Sequence, residues 1–83
     1  MAVKLTSSAL ITHMLSEAQL SKMEASRRMG RGATFLGNYT NANRNGKKSI
    51  PSIELLALVA KICGFEVHVI GHGEDITVEV ADD

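Results

Sequence analysis

The sequence predicts a mainly α-helical fold with a small β element, in which four helices are followed by a C-terminal β-hairpin. Three observations predict this fold. Apolar residues recur at helical spacing in residues 7–18 and 53–63. Serine and glycine stand at the ends of the helical segments. Residues 65–80 alternate between apolar and polar side chains about a glycine-containing turn. We assign residues 1–64 to a helical domain and residues 65–83 to the hairpin and an acidic tail, within one compact unit.

The first and last helices are predicted from their apolar stripes and end residues. Ser7 or Ser8 can cap a first helix that runs to about Ala18. Ser52 can cap the fourth, and Gly64 lies just past its end. The segment between them, IELLALVAKIC, has only two charged residues. A small domain covers one face of such a helix, so we expect part of its apolar surface to contact another chain.

The central stretch, LSKMEASRRMGRGATFLGNYTNANRNGKK, predicts two short helices joined by a glycine-marked turn. Ser21 is placed to cap the first of them, and Glu24 lies three residues later, at the spacing of a capping box. This helix should extend to about Met29, because Gly30 follows where a left-handed conformation favours glycine. The second helix should occupy residues 32–43.

One face of that second helix predicts contact with DNA bases. Thr34, Asn38, Asn41 and Asn45 are spaced four, three and four residues apart, so a helix aligns them. A solvated face would more usually carry Glu, Lys and Gln. Asparagine can make a paired hydrogen bond to the major-groove edge of adenine, and threonine can contact a base or the thymine methyl group.

Charge is distributed unevenly along the chain, although the formal net charge is zero. Residues 22–48 contain seven basic residues and one acidic residue, a net charge of +6, whereas residues 49–83 have a net charge of −6. This asymmetry predicts a basic binding face and an acidic far side. The basic residues lie before and after the polar face, as phosphate-binding residues would around a base-reading surface.

The central stretch resembles the helix-turn-helix of the lambda-repressor-like family, the Cro and phage-repressor (XRE) type. The resemblance covers about residues 7–64 and rests on Leu20, Ser21, Ser26, Gly30, Leu36 and the run Met29–Gly32. Ser26 stands where the family commonly has alanine, and it is still small enough for close helix approach. Arg31 replaces a usually apolar turn residue, so either the turn is less well packed or Arg31 reaches a phosphate.

The resemblance implies a sequence-specific transcriptional regulator, a bacterial or phage repressor that binds double-stranded DNA through the major groove as a homodimer in the cytoplasm. The positions that would read bases are Ala33, Thr34, Asn38 and Asn41. The positions that would hold phosphates are Lys22, Arg31, Asn43, Arg44, Lys47 and Lys48. The loop that contains Lys47 and Lys48 has an Asn-Gly turn signal. It is interpreted either as a phosphate-binding loop or as a simple exposed loop.

The predicted hairpin has one apolar side. Its strands are residues 65–70 and 76–80, with GHGED supplying the turn. An isolated two-stranded hairpin is marginally stable in water, so this one must pack on the helices, pair with a partner strand, or both. We expect its apolar side to form the homodimer interface. The residues of that side are Phe65, Val67, Val69, Ile76, Val78 and Val80.

The sequence predicts no enzyme, cofactor or metal site. The spacing of His13, His68, His72 and Cys63 fits no zinc pattern with four clustered ligands. No nucleophile, base and orienting residue can be aligned. A single cysteine cannot form an internal disulfide, which favours a reducing cytoplasm, and no segment approaches the roughly 20 apolar residues of a membrane span.

Two other functions stay open. The chain could be the antitoxin of a toxin–antitoxin pair, which binds its own promoter and gives its C-terminal segment to a toxin; a neighbouring toxin gene would favour this. It could also be a protein-interaction module on the same scaffold, which binds another protein partner and does not bind DNA. The basic residues on both sides of the polar face argue against this last function.

Overall fold

The computed structural model describes residues 4–41 and 46–80. Within these ranges, four helices precede a two-stranded antiparallel hairpin, which confirms the predicted mainly α fold with a small β element. No helix in the described ranges combines the length and the apolar content needed to cross a membrane. The elements are α1 (Ser7–Ala18), α2 (Lys22–Arg28), α3 (Gly37–Thr40), α4 (Ile53–Cys63), β1 (Val67–Gly71) and β2 (Glu74–Val78).

Helices α1 and α4 are each capped by a residue whose hydroxyl oxygen accepts a hydrogen bond from a free N–H of the first turn. Thr6 caps α1, not Ser7 or Ser8 as we predicted. Three consecutive hydroxyl residues can each cap a helix, and the local sequence does not distinguish them. Ser52 caps α4 as predicted. Gly64 ends α4 with a φ of 80°, a left-handed conformation that glycine adopts without the steric cost of a Cβ.

A single core joins the helices. It is formed by α1, α2 and α4 together with one residue from the segment ahead of α3. Its most buried side chains are Ile11, Met14, Leu15, Ala25, Leu36, Val59 and Ala60. Helix α4 packs on α1 and α2 and also contacts both strands, so it connects the helical part to the hairpin.

The second helix of the central stretch is much shorter than predicted. We predicted residues 32–43, whereas α3 occupies only Gly37–Thr40 and residues 33–36 form turns. Several N–H groups of this segment donate to carbonyls three residues back. The N–H of Leu36 donates to the Oγ of Ser26 instead of to a backbone carbonyl of a helix. Glycine and asparagine, which are weak helix formers, add to the effect.

The hairpin has the predicted alternation of side chains. Val67 pairs with Val78 and Val69 with Ile76, so these four lie on one face.

The turn of the hairpin is tighter than predicted. Only His72 and Gly73 connect the strands, with φ values of 51° and 77°. Two successive left-handed residues are typical of the type I′ turn, whose twist matches that of the flanking strands. Glu74 and Asp75, which we assigned to the turn, are the first residues of β2.

Candidate nucleic-acid interface

Ser26 connects α2 to the segment ahead of α3. Its side chain is 0% exposed, donates to the carbonyl of Lys22 at 2.7 Å and accepts from the N–H of Leu36 at 3.2 Å. The Leu36 side chain is also fully buried and belongs to the core. The segment is therefore fixed to α2 from its inner side, and this leaves its polar side chains outside.

Three of the four predicted base-reading residues are exposed. Thr34 lies in the turns ahead of α3, Asn38 lies within α3, and Asn41 follows α3 with an extended backbone. Ala33 is half-buried. Asn45, which we placed on the same face, lies outside the described residues. Of the described residues Thr34, Asn38 and Asn41, only Asn38 belongs to an α-helix, so the regular helical alignment that we predicted for these three is wrong.

A hydrogen bond joins a predicted phosphate-binding residue to a predicted base-reading residue. The Nζ of Lys22 donates to the Oδ1 of Asn41 at 3.2 Å across 19 residues of chain. The Nδ2 of Asn41 lies 3.6 Å from the point where a Cβ on Gly37 would stand. The Asn41 side chain therefore points back toward α2 and lies beside Gly37, the first residue of α3.

Two residues of the described part of the loop after α3 are bonded to helices, one to α1 and one to α3. Lys48 donates through Nζ to the Oγ of Ser8 at 3.2 Å, and the N–H of Ser49 donates to the carbonyl of Asn38 at 2.9 Å. Lys47 is exposed. Asn43 and Arg44, also predicted to hold phosphates, lie outside the described residues.

Arg31 lies in a different environment from the lysines. Its guanidinium carbon is 5.2 Å from the ring centroid of Phe35, within cation–π distance. The Phe35 ring meets Tyr39 edge-on at 5.5 Å. Arg31 lines a groove of about 360 Å³ with these rings and with residues of α4, including Glu54. None of the predicted base-reading residues lines that groove.

Glu24 and Arg28 form an exposed ion pair along α2, with Oε1 and Nε 3.3 Å apart. The Ser21 side chain accepts from the N–H of Glu24 at 3.1 Å, which confirms the predicted cap. Of the predicted capping box, the described hydrogen bonds include only this half.

The predicted interface side of the hairpin is packed at one end and open at the other. Val67, Val78 and Val80 are half-buried, and Val67 packs against the helical core. Val69 and Ile76, nearer the turn, keep 48% and 51% of their surfaces exposed. Phe65, just before β1, is also exposed and its ring lies 6.2 Å from that of His13.

Sequence reasoning missed a cluster on the other face of the hairpin. The Nδ1 of His68 lies 2.6 Å from the Oδ1 of Asp75, and its Nε2 lies 2.8 Å from the Oε2 of Glu66. Hydrogen bonds to Glu66 and then to Asp75 raise the pKa of His68 above 6.5. The alternation places Glu66 and His68 on one face, but the position of Asp75 depends on the strand register.

Cys63 is half-buried at the end of α4. Burial raises the pKa of its thiol, and the positive charge of Arg28 offsets part of this rise.

Comparisons of the chain with protein-family models, with curated protein sequences and with solved structures gave no significant match.

Proposed function

We propose that this chain is a sequence-specific regulator of transcription, a repressor that binds double-stranded DNA as a homodimer. In this proposal α2 and the segment through α3 act as a helix-turn-helix of the lambda-repressor-like type. The observation that supports it most is the exposure of Thr34, Asn38 and Asn41, the last of which contacts the ammonium group of Lys22.

The polar side chains of this segment have the chemistry that base reading requires. Thr34 and Asn38 have no side-chain hydrogen-bond partner among residues 4–41 and 46–80. Each keeps donors and acceptors for the edge of a base in the major groove. The Ser26–Leu36 bond holds their segment against α2, which limits the loss of backbone freedom on binding.

The cations have the chemistry that phosphate binding requires. Lys22 starts α2, while Lys47 and Lys48 follow α3 in the chain. Phosphate contacts of this kind set the orientation of a protein on the duplex without reading its sequence. In a homodimer, two such surfaces would occupy half-sites about one helical turn apart, roughly 34–36 Å.

The experiment that tests this function is fluorescence anisotropy with labelled duplex DNA from just upstream of the gene for this protein. A scrambled duplex of the same length and base composition serves as the control, and both are titrated across a salt series. We expect tighter binding to the upstream duplex and a linear fall of the logarithm of affinity with the logarithm of salt concentration.

Weak and equal binding to the two duplexes would contradict recognition of that site, and selection of binding sequences from random DNA would then show whether another site is preferred. The absence of binding to either duplex at low salt would contradict the proposed function and favour the protein-interaction module.

A further inference from the structure

The hairpin has two outer edges whose backbone groups face away from its own ladder. Within the described residues the sheet has two strands only. Hydrogen-bonded and non-hydrogen-bonded pairs alternate along an antiparallel ladder, starting from the bonded pair that closes the two-residue turn. The outward N–H and C=O groups are therefore those of His68 and Ile70 on β1, and of Asp75 and Thr77 on β2. These four residues make no backbone hydrogen bond to any other described element.

The half of the hairpin near the turn also exposes large apolar side chains. Ile70 is 77% exposed, and the cross-strand pair of Val69 and Ile76 is about half exposed on the opposite face. An open strand edge with exposed apolar side chains favours pairing with another strand. The charges along each edge decide which strand of a second copy can lie beside it.

The β2 edge opposes its own two-fold pairing. Its outward residues are Asp75 and Thr77, and Glu79, one residue past the end of β2, continues the alternation. An antiparallel pair centred on Thr77 would place Asp75 opposite the partner's Glu79. Centring on Asp75 or on Glu79 would place two identical carboxylates opposite each other. Like charges directly opposite destabilise a strand pair. The symmetric registers between these, centred on Ile76 or on Val78, would set Asp75 or Glu79 against the partner's Thr77 and gain no opposite charge.

The β1 edge has no such conflict. An antiparallel pair centred on Val69 would place Val69 against the partner's Val69 and His68 opposite the partner's Ile70. Both outward residues of β1 would then exchange backbone hydrogen bonds with the partner. Val67 would lie opposite the partner's Gly71, and no two carboxylates would be opposed within the paired strands, because β1 contains none.

We propose that two copies of this chain associate by pairing β1 with the partner's β1, antiparallel and centred on Val69. The product is a four-stranded sheet with the order β2-β1-β1-β2, whose apolar face joins Val69 and Ile76 of both copies. This inference rests on the homodimer of the proposed function, and it specifies the strand and the register.

Amide hydrogen exchange of the unmodified protein, followed by NMR, tests the pairing without a substitution. Spectra are compared at concentrations where sedimentation shows monomer and where it shows dimer. We expect the His68 and Ile70 amides to exchange roughly tenfold or more slowly in the dimer. The Asp75 and Thr77 amides, which face outward from β2, are the internal control and should not slow.

Cysteine cross-linking tests the register. Val69→Cys and Ile76→Cys are each made in a Cys63→Ala background, so that each chain has one thiol. The two sites form one cross-strand pair with nearly equal exposure. A two-fold pair of cysteines at position 69 would have a Cβ separation close to that of a disulfide. With oxidised glutathione we expect a covalent dimer of the Val69→Cys protein and little of the Ile76→Cys protein.

Slower exchange at Asp75 and Thr77, or preferential cross-linking through Ile76→Cys, would overturn the choice of β1. A dimer by sedimentation with neither edge protected would overturn the strand pairing and leave the homodimer intact. A monomer at every concentration, with and without the DNA it binds, would overturn the inference and the homodimer together. The anisotropy experiment judges DNA binding separately.

Discussion

The hydroxyl of Ser26 accepts the N–H of Leu36 across ten residues of chain, and both residues are completely buried. The same hydroxyl donates to the carbonyl of Lys22. One side chain therefore closes a bond within α2 and fixes the first turns of the next segment to it.

Replacing Ser26 by alanine should destabilise the domain by about 1–3 kcal/mol, because the buried N–H of Leu36 loses its acceptor. Urea unfolding followed by circular dichroism measures the change. Ser49→Ala is the matched control: its side chain is exposed, and its N–H bond to Asn38 is retained. This control should change stability by less than about 0.5 kcal/mol. Equal effects of the two substitutions would contradict the role of the hydroxyl.

Two glycines of the central stretch should respond to alanine with opposite signs. A Cβ on Gly37 would meet only the Nδ2 of Asn41, at an ordinary 3.6 Å, so Gly37→Ala should stabilise α3 by about 0.4–1 kcal/mol. Gly30 has a φ of 72°, so Gly30→Ala should cost about 1–2 kcal/mol, although nothing lies within 4 Å of its Cβ. Urea midpoints of the two variants measure both effects. Changes of the same sign would contradict the described backbone.

Asn38→Ala should weaken binding to the cognate duplex by about 1–3 kcal/mol and change binding to scrambled DNA much less. The reason is that a base-reading side chain contributes only where its base is present. Anisotropy titrations on both duplexes provide the comparison. A loss of the same size on the two duplexes would show that Asn38 does not read a base.

Lys48→Gln is the contrasting variant. It should weaken binding to both duplexes similarly and reduce the salt slope by about 1, because Lys48 makes one phosphate contact in the proposed complex. The salt series of the wild-type protein gives the reference slope. A slope equal to that of the wild type would place Lys48 away from the DNA.

The His68 cluster should make the hairpin more stable at mildly acidic pH than at alkaline pH. Both ring nitrogens contact a carboxylate, and only the protonated imidazole donates to both. Because the folded pKa of His68 is raised above 6.5, this stabilisation is fully present below pH 6.5. It is lost as the pH rises through the raised folded pKa.

The measurement is the urea midpoint of the wild type and of His68→Gln at about pH 5.5 and pH 8.5, between the ordinary titration ranges of carboxylates and tyrosine. The advantage of the wild type over the variant should be larger at the lower pH. An advantage that does not change with pH would contradict the linkage. NMR titration of the His68 ring should give a midpoint above 6.5.

The ends of α2 and α4 and the presence of a hairpin were predictable because local chemistry determines them. Ser21, Ser52 and Gly64 occupy the positions that their side chains and backbone freedom favour. Alternation along residues 65–80 predicted the hairpin and its apolar face, but not its register, because the predicted turn included Glu74 and Asp75, which belong to β2. The extent of α3 was not predictable, because its first turns depend on a hydroxyl ten residues earlier in the chain.

The candidate site was predictable as a set of residues but not as an arrangement. The sequence identifies Lys22 and Asn41 separately, one as a cation and one as a short amide. Their contact spans 19 residues and depends on how α2 packs beside α3, so no local pattern contains it. The same is true of Asp75 and His68, because a shift of one residue in the strand register would separate them.

The contact between Lys22 and Asn41 has a consequence for the base that position 41 would recognise. Adenine requires an asparagine that offers its oxygen and its nitrogen together. In the free protein the Oδ1 of Asn41 already accepts from Lys22, so the N6 amine of adenine would share this oxygen with the lysine or displace it. If this contact persists on DNA, we expect position 41 to prefer the acceptor edge of guanine, or the O4 of thymine, and to discriminate against cytosine, whose major-groove edge presents a donor.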